Sequence, residues 1–136
     1  MMQATVYWQE KLQFKGVSGE HQILMDSSAG QAGPTPMQVV LMGLGACSGM
    51  DVVSILEKMR VPFDKFQIKL EAQRQSEHPK VFTQVKMVYQ IWGKDIPAEK
   101  LARAIELTQE KYCSVLHMIN KSAQILFSSE INPAEE

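Results

Sequence analysis

Two cysteines, Cys47 and Cys113, and three histidines, His21, His78 and His117, carry the side chains of this chain best suited to nucleophilic, redox or metal chemistry. Cys113 and His117 are four residues apart, which places them on one face of a helix, a spacing that suits a metal or a thiol–imidazole pair. A metal site needs three or four ligands and only His21 and His78 remain, so no metal is expected. A Cys–His hydrolase would need an orienting residue and an oxyanion hole, and no motif for either accompanies the pair. Cys47 lies eleven residues past Pro36, about 16 Å along a helix, where the helix N-terminus cannot lower its pKa. By residue type alone it reads as a packed core cysteine, whose burial would leave the thiol inert. Cys113 falls where two helices meet. There its sulfur is expected to face the free N–H groups of the second helix, which stabilise a thiolate, or else to serve as a small junction residue.

The elements that must position these groups are legible from pattern. Ala4–Trp8, Gln13–Val17 and Gln22–Met25 read as three short strands joined by polar, Gly-containing turns. The following DSSAGQAG is expected to be a flexible lead-in to Pro34. Thr35-Pro36-Met37-Gln38 is a helix start: Thr35 caps, Pro36 suits the first helical position, and Gln38 completes a capping box. The helix should stop near Met59 or Arg60, because Pro62 disfavours helical geometry at Val61. Phe66, Ile68, Leu70 and Ala72 alternate with polar residues as in a half-buried strand, and Val81 to Trp92 completes a hairpin. Pro97 opens a second helix with the apolar stripe Leu101, Ala104, Ile105, Thr108. A break at Lys111-Tyr112 precedes a short helix from about Ser114 to Asn120, and Ala123, Ile125 and Phe127 suggest a closing strand. The expected order is βββ-α-ββ-α-α-β, one α+β domain over residues 1–136.

The central helix is apolar nearly all the way round and must be covered on every face. One small sheet covers one side, so a second subunit is the economical cover for the rest. Gly43, Gly45 and Gly49 are expected to let two such helices approach closely, since each costs about 1 kcal/mol of helix propensity against Ala. A homodimer follows as the expectation. The nine methionines read as core filler or as the lining of an adaptable apolar pocket.

Composition bounds the function. Hydrophobic residues make up 45% and charged residues 21%, and the net charge of −1 comes without a basic run, so nothing points to nucleic acid or an anionic membrane surface. The start lacks a basic region followed by an apolar one, so no signal peptide is read. Asp51 interrupts the most apolar run, Val39 to Leu56, which argues against a membrane span. A cytoplasmic protein is expected, with two cysteines 66 positions apart that are free thiols unless they have a redox task. No phosphate loop is present, because Gly43-x-Gly45 lies inside a helix.

Taken together, "PTPMQVVLMGLGACSGMDVVSIL" on the central helix and "EKYCSVLHMI" before the short one resemble the OsmC/Ohr family of thiol peroxidases, most of all its YhfA-like branch. The resemblance covers nearly the whole chain and rests on the two motifs as a pair. It implies an intertwined homodimer with a site at each end of the interface and no bound cofactor. It also implies that Cys47 is the peroxidatic cysteine, oxidised by an organic hydroperoxide to a sulfenic acid. Cys113 would be the resolving cysteine that forms a disulfide with it, and an external dithiol reductant would restore both thiols. The implied role is defence against oxidative stress.

The chain departs from the family pattern at the activating groups. Family peroxidases pair an upstream arginine with a glutamate about ten residues before the first cysteine. Here the first arginine is Arg60, and the acidic position holds Met37 beside Gln38. Lys11, Lys15, His21 or an arginine of a second subunit would have to substitute, with Met37 and Gln38 as supporting candidates. The alternative reading is a non-catalytic protein on the same scaffold, one that binds a small hydrophobic molecule or senses redox state.

Overall fold

The computed structural model describes residues 1–135 and divides them into two compact units, Met1–Met42 and the chain from Gly43 onward. In the first, β1 (Thr5–Glu10), β2 (Gln13–Ser18) and β3 (His21–Met25) form an antiparallel meander in sequence order. Residues directly opposite share a face. Trp8, Phe14 and Met25 make one cross-strand row, and Val6, Gly16 and Ile23 make the next, so one face of this sheet is apolar up to the Ser18–His21 pair at its end.

The segment after β3 corrects the expectation of a flexible lead-in. The Asp26 side chain is buried and ties the loop to itself, accepting from Ser27 N–H at 2.7 Å and from Ala32 N–H at 3.1 Å. Asp26 N–H donates to Pro34 O at 3.0 Å. Gly33 passes so close to β3 that a Cβ there would lie 2.1 Å from Leu24 O. The capping box forms as expected: Thr35 N–H donates to Gln38 Oε1 at 2.9 Å, and Gln38 N–H to Thr35 Oγ1 at 3.2 Å.

Helix α1 (Pro36–Lys58) begins in this unit and runs into the next. It ends in a Schellman turn. Arg60 takes a left-handed conformation (φ 59°), Arg60 N–H bonds Glu57 O, and Val61 N–H bonds Leu56 O. By length and composition α1 could cross a membrane, yet it carries a buried row at a spacing of four: Leu44, Ser48, Val52 and Leu56, all fully buried. Only 28% of its most apolar stretch is covered within the chain; Met42 and Met50 stand exposed.

In the second unit β4 (Lys65–Arg74) pairs antiparallel with β5 (Phe82–Trp92), and β5 pairs parallel with β6 (Gln124–Ile131). A side-chain ladder crosses all three strands: Gln67 donates to Gln90 and Gln90 to Glu130, both at 2.6 Å. Val85, Met87, Tyr89 and Ile91 alternate along β5, all fully buried as the core of the unit. The parallel pairing requires a crossover, supplied by α2 (Ala98–Leu107), a π-helical segment (Thr108–Tyr112) and α3 (Ser114–Ile119). The stripe Leu101, Ala104, Ile105, Thr108 is buried as its spacing predicts.

Two glycines correct the sequence reading. A Cβ on Gly45 would meet Leu70 at 2.8 Å, and one on Gly49 would meet Ile68 at 3.4 Å. Gly45 therefore serves close packing of α1 on β4 of its own chain, and Gly49 faces the same strand at ordinary contact distance. Gly43 has nothing within 4 Å of such a Cβ.

Candidate redox site

The second unit brings the two cysteines together. Cys47 is half-buried on α1, Cys113 is fully buried at the start of α3, and the two thiols lie close enough for Cys47 to act on the protonation of Cys113. Neither is in a disulfide. What brings a residue 66 positions away to this point is the crossover. The chain leaves α2, makes one wide turn, and closes it with a bond from Cys113 N–H to Thr108 O at 3.0 Å. Cys113 then turns extended (φ −76°, ψ 101°) and caps α3, its sulfur accepting Leu116 N–H at 3.4 Å.

The sulfur thus faces the N–H groups as expected, but the consequence expected from that is corrected. Burial pushes the Cys113 thiol up to about 11. The bond from Leu116 N–H opposes this shift, while Cys47 and Asp51 add to it. Desolvation outweighs one long N–H···S bond, so Cys113 rests as a protonated thiol.

Around the pair runs a buried polar chain that the sequence reading did not single out. Tyr89 OH and Ser48 Oγ are 2.6 Å apart, Thr108 Oγ1 is 3.2 Å from Ser48 Oγ, and Thr108 Oγ1 donates to Asp51 Oδ2 at 2.9 Å. A carboxylate oxygen only accepts, and a hydroxyl has one proton. Thr108 therefore gives its proton to Asp51, Ser48 gives its own to Thr108, and Tyr89 donates to Ser48. Burial pushes the Tyr89 phenol up to about 12 in spite of the Ser48 bond, so it keeps the proton this order requires. The signal that could have found the chain is Asp51, the lone charge between Pro36 and Leu56 and one helical turn past Cys47. Asp51 also borders a groove of about 330 Å³ with Ser54, Lys58 and Tyr112.

The other candidates are placed as follows. Gln38 is committed to the capping box, Met37 is half-buried beside it, and His21 is exposed at the start of β3, all in the N-terminal unit. Lys15 holds its ammonium 5.8 Å from the centroid of the Tyr7 ring, and Lys11 takes a positive φ in the β1–β2 turn. His117 is exposed on α3. No group of three or more His, Cys, Asp or Glu able to hold a metal occurs among the described residues.

A long helix bearing one cysteine, packed on a three-stranded sheet and answered by a second cysteine from the crossover, defines the class. Residues 28–127 match the OsmC-like protein family, and the chain belongs to it. Protein YhfA of Escherichia coli is 44% identical over 131 residues, covering 96% of this chain and 98% of that one. A hypothetical protein from Aquifex aeolicus superposes with a TM-score of 0.89 at 30% identity, over 99% of this chain and 98% of the other. The organic hydroperoxide resistance protein OhrB of Bacillus subtilis shares the fold, with a TM-score of 0.68 at 17% identity over 96% and 98%.

Proposed function

We propose that this protein is a two-cysteine peroxidase that reduces organic hydroperoxides. The observation that carries the reading is the proximity of the Cys47 and Cys113 thiols across 66 residues of sequence. Their unequal environments support an order of events. Cys47 is the more accessible of the two, so it attacks the peroxide. Its thiolate takes the distal oxygen to become a sulfenic acid, and the O–O bond breaks to release an alkoxide that leaves as alcohol after taking a proton. Cys113, buried and protonated, resolves. Its sulfur attacks that of Cys47, the S–O bond breaks, and the departing hydroxide takes the Cys113 proton to leave as water. An external dithiol then reduces the disulfide. A second copy of the chain would cover the exposed side of α1 and the apolar face of the β1–β3 sheet, as the family's dimers do.

One observation favours a second reading. The N-terminal unit holds an open cavity of about 520 Å³ with an almost wholly apolar lining, among it Val6, Leu12, Phe14 and Met25. Such a cavity could serve to bind a small hydrophobic molecule without chemistry. Equimolar cumene hydroperoxide followed by peptide mapping decides between the two. The peroxidase reading expects one Cys47–Cys113 disulfide per chain within seconds, no turnover in Cys47→Ser, and a trapped sulfenic acid in Cys113→Ser. Thiols untouched by excess peroxide in the folded protein would select the binding reading.

A further inference from the structure

The meeting of the two cysteines depends on a short segment of unusual geometry. Between α2 and Cys113 the chain makes five π-helical residues, Thr108–Tyr112. In an α-helical continuation the N–H of residue 113 would bond residue 109; here it bonds Thr108 O instead, at 3.0 Å. The extra residue matters because each residue of an α-helix turns the chain by about 100°. Without it, the Cys113 side chain would swing about 100° around the helix axis, off the line to Cys47. A π turn is rare and frequently marks a functional site.

The residue at the head of that turn is held from both sides. Thr108 is fully buried, its carbonyl holds Cys113, and its hydroxyl is gripped by α1 at Asp51 (2.9 Å) and Ser48 (3.2 Å). Asp51 stands one helical turn past Cys47 on the same face, and Ser48 is its neighbour in sequence, about 100° round the helix. One hydroxyl thus ties the first cysteine's helix to the second cysteine's turn. The tie joins two buried hydroxyls to a half-buried carboxylate, and the buried groups are costly to leave unmatched.

We propose that Asp51, through Thr108, is a positioning residue: the Asp51–Thr108–Ser48 bonds latch the π turn in the register that presents Cys113 to Cys47. The latch acts on the cysteine pair of the proposed peroxidase, yet it makes a claim about disulfide formation that holds for any oxidant. In glutathione buffer, two thiols are exchanged for one disulfide as oxidised glutathione becomes two reduced molecules, and the equilibrium gives the effective concentration of one cysteine at the other.

That equilibrium, measured on the full chain, is the test. Thr108→Val keeps the shape and removes the donor, and Asp51→Ala removes the acceptor; each is expected to lower the effective concentration at least tenfold. Thr108→Ser and Asp51→Asn keep donor and acceptor and are expected within threefold of the parent. Ile125→Ala, on β6 away from the turn, controls for general loosening and should leave the value unchanged at equal loss of stability. Parental effective concentration in folded Thr108→Val or Asp51→Ala would overturn the latch; if Thr108→Val does not fold, Asp51→Ala carries the test from the α1 side. With peroxide, the latch variants should form the Cys47 sulfenic acid at the parental rate and close the disulfide at least tenfold more slowly. A parent inert to peroxide would remove the peroxidase reading and leave the glutathione result to judge the latch.

Discussion

The two sheets of this protein have three strands each and opposite fates. In the second unit, β5 buries Val85, Met87, Tyr89 and Ile91 completely beneath elements of the same unit. In the first, β1–β3 bury no residue, and Val6, Trp8 and Ile23 on its apolar face are each about half exposed or more, at 57%, 64% and 49%. Patterning alone does not separate the two, since both have apolar residues on one face. The difference is whether the covering element is encoded nearby. The β4–β6 sheet is followed or preceded by helices whose stripes match it. The β1–β3 sheet leaves a face that a second copy of the chain would complete. One unit covers its own apolar face, and the other leaves its apolar face open.

That contrast can be broken at its strong end first. Leu56→Ala removes a fully buried side chain from the α1 row and should cost about 2–5 kcal/mol by chemical denaturation, whatever the protein concentration. Alkali should act on the same unit. The Cys113 thiol, ordinarily near 9, loses its proton only near 11 in the folded chain. Between these values the unfolded chain binds fewer protons than the folded one, so stability is whole below pH 9 and falls as pH rises towards 11. The loss is on the order of 2 kcal/mol, and Cys113→Ser should flatten that part of the profile in pH-dependent unfolding.

At the interface end the signature is reversed. Ile23→Glu should leave the unfolding of the protomer nearly unchanged and weaken self-association by about tenfold or more in sedimentation, roughly 1.4 kcal/mol for each tenfold. An unchanged sedimentation profile would mean that this face makes no contact between copies of the chain. The smallest effect belongs to the capping box: Thr35→Ala should cost about 1 kcal/mol, read as a modest drop in melting temperature.

How much of this was legible depended on how local the cause was. The Thr35–Gln38 box, the stop after Lys58 and the alternation of β4 and β5 rest on residues a few positions apart, and each formed where expected. The destination of Gly45 and Gly49 was not local. Their missing side chains signal a close neighbour without naming it, and the neighbour proved to be β4. The loop after Met25 looked flexible because small residues dominate it, whereas the single buried Asp26 carboxylate orders it. At the site, the two cysteines could be paired only through family resemblance. The Ser48–Thr108–Asp51 grip escaped because a π turn has no period of its own, and Thr108 read as one more member of an apolar stripe. Cys113 faced the N–H groups it was expected to face, and burial still decided its protonation.

The parallel pairing of β6 with β5 has a consequence for the order in which the molecule is made. The crossover that carries Thr108 and Cys113 is a closed loop only once Gln124–Ile131 has docked along β5, and those residues follow Cys113 in synthesis. Until then α2, the π turn and α3 are tethered at one end, and long-range strand pairing of this kind is slow to form. Cys47 therefore leaves the ribosome long before it has a partner. The two cysteines meet only after β6 has been made, and until then a nascent copy is open at Cys47 to whatever thiol or oxidant it meets first.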